Sequence, residues 1–168
     1  MNWLYENKEV DEAAIGAIGF VYELVLSDGT RYVGQKTFMS TISKLPLKSG
    51  EMRDGHIEFY NKNVMLHPDT GKIVVARKDK AALRKLGIKA TRETYERIQV
   101  ESKWQDYLGS SEFVDPNLVI HKRILEWIPT ERSKLYLEEK WQFIKEVLES
   151  EVYLNKQIGN RYFKGKLL

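Results

Sequence analysis

The 168 residues contain no cysteine, which excludes disulfides, thiolate zinc sites and a thiol nucleophile. Only three histidines occur, and they are scattered along the chain, too few for a His-rich metal cluster. No apolar run approaches the roughly 18–20 residues that span a bilayer, so no membrane partner is expected. The opening MNWLYENKEVDEAA is mixed and acidic, unlike a secretory leader, and the cytoplasm is the expected compartment. Repeats and low-complexity tracts are missing too. The length suits one domain, residues 1–168, able to bury a core without staples.

A strong charge of either sign is also lacking, since the net charge is only +3. Its distribution is uneven, however. Residues 1–12 sum to −3, whereas residues 72–103 hold ten basic and four acidic side chains. The tail, residues 156–168, carries Lys156, Arg161, Lys164 and Lys166 and no acid. Local basic surface of this kind is the footprint of a phosphate-backbone partner, although Lys-rich segments also arise as plain solvated faces.

Residues 17–26, AIGFVYELVL, are rich in β-formers, Ser27-Asp28-Gly29-Thr30 is a turn signal, and Arg31-Tyr32-Val33-Gly34 resumes a strand. This pattern predicts a hairpin. Residues 37–55, with Pro46, Gly50 and Gly55, read as loop. A second hairpin is expected from 57–66 and 73–76. Asp79 can cap a helix KAALRKLG ending at Gly87, and Thr91 a longer one through about Leu108. Residues 118–127 read as a third strand. Thr130 then opens a helix through about Leu148, with Leu137, Trp141, Ile144 and Leu148 as its buried stripe. The expected fold is α+β: a small three-stranded antiparallel sheet flanked by helices, with an inserted hairpin and helical lobe at about 37–92. Trp104 and Trp141 read as core residues rather than base-stacking platforms.

Gly19-Phe20-Val21-Tyr22, followed nine residues later by Tyr32-Val33-Gly34, resembles the paired strand motifs of the GIY-YIG nucleases. The first triplet keeps only its tyrosine and a leading glycine. Lys103-Trp104 with Tyr107 resembles the family's basic-aromatic helix, with lysine where the family has arginine. Lysine is a point charge and not a bidentate fork. Glu138, in the helix after Pro129, matches the essential glutamate, with Glu139 as the neighbouring alternative. Tyr153-Leu154-Asn155 matches the late aromatic-Asn pattern. YVGQK, W-x-x-Y-x-x-S from Trp104 and the late YLN are similar to phage-encoded members of that family.

The resemblance implies a metal-dependent endonuclease acting on DNA, double-stranded in the simplest case, in a free-standing homing-type or phage accessory setting. Glu138 would bind Mg²⁺ or Mn²⁺, since a hard ion needs only one or two carboxylates beside water. Tyr22 would act as general base or orient the attacking water, Tyr32 would position water or phosphate, and Tyr107 would occupy a slot for His or Tyr. A free phenol titrates near 10, so Tyr22 needs nearby positive charge, from Lys36 or Lys103. Either lysine could also hold the scissile phosphate. Asn155 would support the architecture.

Backbone-contact candidates are Lys78, Lys80, Arg84, Lys85, Lys89 and Arg92 in the basic stretch, Arg123 on the third strand, and Arg161 and Lys164 in the tail. Residues 73–100, read as a strand followed by two short helices, faintly suggest a helix-turn-helix. The alternatives are a non-catalytic DNA-binding module of the same fold and an interaction protein. The oligomeric state stays open, a dimer being one way to cut both strands.

Overall fold

The computed structural model describes residues 1–67, 69–70, 73–74, 85, 87, 89–159 and 161–165. They divide into two compact units: residues 1–39 with 101–168, and residues 40–100.

The first unit is built on a five-stranded sheet. Its strands are β1 (Trp3–Tyr5), β2 (Lys8–Val10), β3 (Gly19–Leu26), β4 (Arg31–Thr37) and β9 (Val119–Ile128). Their order is β2-β1-β9-β3-β4, antiparallel except for the β1–β9 pair. The sequence GFVYELVL is apolar on both faces but for Glu23, and β3 accordingly lies inside the sheet with both faces covered. Phe20, Tyr22, Leu24 and Leu26 point to a core with Trp3, Trp104, Val114 and Ile124. Val21 points the other way, to a core with Val33, Leu137, Val147, Tyr153 and Ile158.

Helix α1 (Ser133–Ile144) covers that second face. Thr130 and Ser133 fasten its entry, each backbone N–H donating to the other's hydroxyl at 3.2 Å. The helix stops short of the expected Leu148. Glu146 takes a left-handed φ of 51°, and Val147 and Leu148 enter the core from the turn that follows. Ile144 of the expected stripe is exposed. Two short strands close the unit, β10 (Gln157–Ile158) and β11 (Tyr162–Phe163).

The second unit is a four-stranded sheet ordered β5-β8-β6-β7. It comprises β5 (Met39–Lys44), β6 (His56–Leu66), β7 (Ile73–Val74) and β8 (Lys89–Glu101). The expected hairpin of β6 with β7 is present.

The expectation of a small three-stranded sheet flanked by helices is therefore corrected: the described structure is mostly strand, in several sheets, with one full helix. Three local differences account for it. Residues 91–101, expected as the start of a helix, form β8, and residues 102–115 after it are turns and loop. Thr91, Thr94, Tyr95, Ile98 and Val100 favour extended backbone, Glu96 and Ile98 are buried on alternate positions, and β6 supplies a long antiparallel partner. This also removes the second helix of the faint helix-turn-helix. Met39–Lys44, expected as loop, pairs on the edge of β8. Finally, Trp3–Val10 makes a hairpin whose Glu6 and Asn7 have φ of 50° and 63°, the conformation of a type I′ turn. The helix expected at 79–87 falls almost wholly outside the described residues. No described helix is long and apolar enough to cross a membrane.

Candidate active site

Strand pairing assembles the first part of the site. Tyr22 on β3 lies opposite Gly34 on β4, with Tyr32 and Lys36 two residues to either side on the same face. The Tyr22 ring lies across Gly34. A Cβ at Gly34 would sit 2.6 Å from the Tyr22 hydroxyl oxygen and 2.9 Å from the Tyr32 ring. The glycine of Tyr32-Val33-Gly34 is thus a steric requirement of the phenol packed on it.

The turn segment after β8 adds the third phenol. Trp104 is buried in the aromatic core, and its carbonyl accepts a 2.8 Å bond from the Trp3 indole. With Trp104 anchored, the Tyr107 ring stands edge-on to Tyr22 at 5.8 Å, and the Tyr32 ring lies 6.3 Å from Tyr22. The Lys36 ammonium sits 4.2 Å over the Tyr107 ring. The Tyr107 hydroxyl donates to Ser110 at 2.9 Å.

From the other side of β4 comes α1. Its Leu137 packs in the core and Glu138 reaches the phenols: its charge raises the pKa of both Tyr22 and Tyr32. Burial is the larger cause at each tyrosine, and at Tyr22 the neighbouring Tyr107 and Tyr32 push in the same direction. Tyr22 is 2% exposed and stays protonated at neutral pH. Burial also raises Glu138, to about 7, helped by the adjacent Glu139 and opposed by Lys134.

Asn155 holds the strand that carries Tyr32. Its side-chain carbonyl accepts from the Val33 N–H at 3.0 Å, and its amide donates to the Val33 carbonyl at 2.8 Å. β4 is the sheet's edge, so this amide stands in for a neighbouring strand. The chain beside it continues the pairing, with Arg31 N–H donating to Val152 and Leu154 N–H to Arg31.

These elements wall a cavity of about 1090 Å³ within the first unit, lined by Tyr32, Glu138 and Asn155. Glu139, Gln142, Lys156 and Arg161 line it as well. Among the described residues, no three His, Asp or Glu side chains converge on one metal position. The available donors are Glu138 with Glu139 beside it, oxygen ligands that suit a hard divalent cation keeping most of its water.

The structure thus brings together Tyr22, Tyr32, Lys36, Tyr107, Glu138 and, as a support, Asn155. It does not bring Lys103 to them: Lys103 is exposed on the loop after β8, without a hydrogen bond or ion pair to any described residue. Arg161 is exposed at the cavity wall and Arg123 on β9. Lys164 is occupied, donating to the Ser150 and Tyr153 carbonyls at 2.7 and 3.0 Å. In the second unit Lys85 and Arg92 are exposed, and Lys89 lies on β8. Lys78, Lys80 and Arg84 lie outside the described residues. Sequence reading missed Gly34 as the seat of Tyr22, and it missed Lys156. The first was legible in the glycine of Tyr32-Val33-Gly34, which hairpin pairing sets opposite Tyr22. The second carried only the signal of the basic tail, residues 156–168.

The family model described as "Putative endonuclease segE, GIY-YIG domain" matches residues 64–158. That span carries Tyr107, Glu138 and Asn155, while the β3–β4 hairpin precedes it. No curated protein and no solved structure matches the chain. The matched span is more than half of the sequence, and the chain belongs to the GIY-YIG endonuclease family.

Proposed function

We propose that this chain is a divalent-metal-dependent endonuclease that hydrolyses phosphodiester bonds in double-stranded DNA at the cavity beside β4. The observation that carries the reading is the meeting of three phenols, one lysine and a desolvated glutamate on a β3–β4 hairpin whose glycine is shaped to admit Tyr22.

Glu138, with Glu139 next to it, would hold Mg²⁺ or Mn²⁺. A half-buried carboxylate pushed up to about 7 gains from a cation beside it. When bound, the ion supplies neutralisation of the phosphate charge that builds in the transition state. Tyr22, kept protonated by burial, orients the attacking water through its hydroxyl instead of acting as a resting phenolate. Tyr32 is the phenol that lines the cavity and so meets water or phosphate first. Lys36 places positive charge against the phenol cluster, and Lys156 and Arg161 are the cations that line the cavity where the scissile phosphate would lie. Lys103 has no such placement and is assigned no role.

The test is nicking of supercoiled plasmid by wild type and Glu138→Gln in Mg²⁺, Mn²⁺ or EDTA. The reading expects metal-dependent nicking that Glu138→Gln loses. A folded wild type that binds DNA with a steep salt dependence but never cuts would replace it with a binding module of the same fold.

A further inference from the structure

Beyond Glu138 the cavity has a second, different wall. Phe113, Phe143 and Tyr162 line it, and each is exposed, at 46%, 49% and 44%. Phe143 and Tyr162 stand edge to face at 5.4 Å. The Lys156 ammonium lies 5.8 Å from the Phe113 ring centre, and Arg161 stands on the same wall. Large aromatic rings left in water beside a polar reaction site are unusual unless something covers them. A cation next to a ring face is the combination that takes a nucleotide, with the base stacked and the phosphate paired. The volume of about 1090 Å³ is far more than a phosphate and water need, and it reaches the range that encloses a whole nucleotide-sized ligand.

The two walls are also linked. Tyr107 and Phe113 belong to one turn segment, tied by the Tyr107–Ser110 hydrogen bond and by the Phe113 N–H donating to Ser111. Lys156 follows directly on Asn155, whose amide is fixed to β4. Phe113 and Lys156 therefore sit on the same segments as Tyr107 and Asn155.

We propose that this wall stacks an unpaired nucleobase flanking the scissile phosphate, so that the preferred substrate is duplex DNA containing an extrahelical nucleotide. This rests on the nuclease reading of the same cavity and specifies its substrate class. In intact duplex the bases are stacked on one another and cannot reach Phe113. An unpaired base has already left the stack, and its π-face is free.

The test separates this from catalysis by measuring binding in EDTA. Fluorescence anisotropy would compare a labelled duplex with the same duplex carrying a one-nucleotide bulge, for wild type, Phe113→Trp, Phe113→Leu and Phe113→Ala. Wild type and Phe113→Trp should bind the bulged DNA about tenfold or more tightly than the intact duplex, within the range of one base–aromatic stack. Phe113→Leu, which keeps apolar bulk without a ring, and Phe113→Ala should both lose that preference while keeping duplex affinity. Equal affinity of wild type for the two DNAs, or a preference untouched by Phe113→Ala, would overturn the proposal. A bulge preference in a protein that never cuts would sink the nuclease reading alone and leave the platform standing.

Discussion

Replacing Asn155 with alanine tests what that residue does. In the folded chain it makes two buried hydrogen bonds to one residue of β4, accepting from the Val33 N–H at 3.0 Å and donating to the Val33 carbonyl at 2.8 Å. Alanine leaves the Val33 N–H and carbonyl buried without their main partner. Each buried group left unmade costs about 1–3 kcal/mol. The carbonyl retains a weak donor in the Gln142 amide at 3.5 Å, so its loss falls at the low end. The expected destabilisation is about 2–4 kcal/mol. For a chain of this size each kcal/mol lowers the melting temperature by roughly 2–4 °C, giving a drop of about 5–15 °C. Thermal unfolding followed by circular dichroism reads this directly, and nicking assayed well below the melting point reads function separately. The account expects a clear drop in melting temperature, with cleavage surviving in the folded fraction. An Asn155→Ala protein that melts like wild type and no longer cuts would refute the reasoning, because the side chain would then be acting on the reacting atoms.

Other consequences follow from the same geometry. Glu138 holds its proton to about pH 7 when folded but only to about 4.3 when unfolded, so unfolding releases a proton between those values and stability falls as pH rises through that window. Glu138→Gln should flatten the curve between pH 5 and 8 and melt higher than wild type at pH 8, by an amount worth up to about 3 kcal/mol; an unchanged slope would place the titration elsewhere. Gly34→Ala drives a methyl group into the Tyr22 and Tyr32 rings and should cost about 1–3 kcal/mol in urea unfolding while lowering cleavage more than Asn155→Ala does. Lys164→Gln removes two bonds to backbone carbonyls, so it should lower stability by about 1 kcal/mol and leave the salt slope of DNA binding unchanged, in contrast to Arg161→Gln.

Much of the site was readable because it is local. The hairpin of β3 and β4 follows from an eight-residue strand, apolar but for Glu23, an Asp-Gly turn and a matching strand, and strand pairing alone sets Tyr22 against Gly34. The third strand and the Thr130 helix start were equally local signals. The misread parts depend on partners far along the chain. Thr-Arg-Glu-Thr-Tyr-Glu-Arg holds enough charge at helical spacing to pass for a helix, and its pairing between β5 and β6 makes it β8. That error also displaced Lys103, which on a helix would have shared a face with Tyr107 and on the observed loop points to solvent. The hairpin at Glu6-Asn7 lacks the Asn-Gly signature and is stabilised by the parallel contact of β1 with β9, more than a hundred residues on. Asn155 was legible as a support through its motif, but the peptide it holds was not, because β4 becomes an edge only once the whole sheet is assembled.

The central claim is that the phenols of the hairpin and the glutamate of the helix form one catalytic unit. Its most direct test is single-turnover cleavage of a labelled duplex by Tyr22→Phe, Glu138→Gln and the double variant, in saturating Mg²⁺. Groups that act as a unit are strongly non-additive. Each single variant should lose about a hundredfold or more in rate, and the double variant should be little worse than the poorer single one. Losses that multiply, or cleavage that survives in either single variant, would contradict the account.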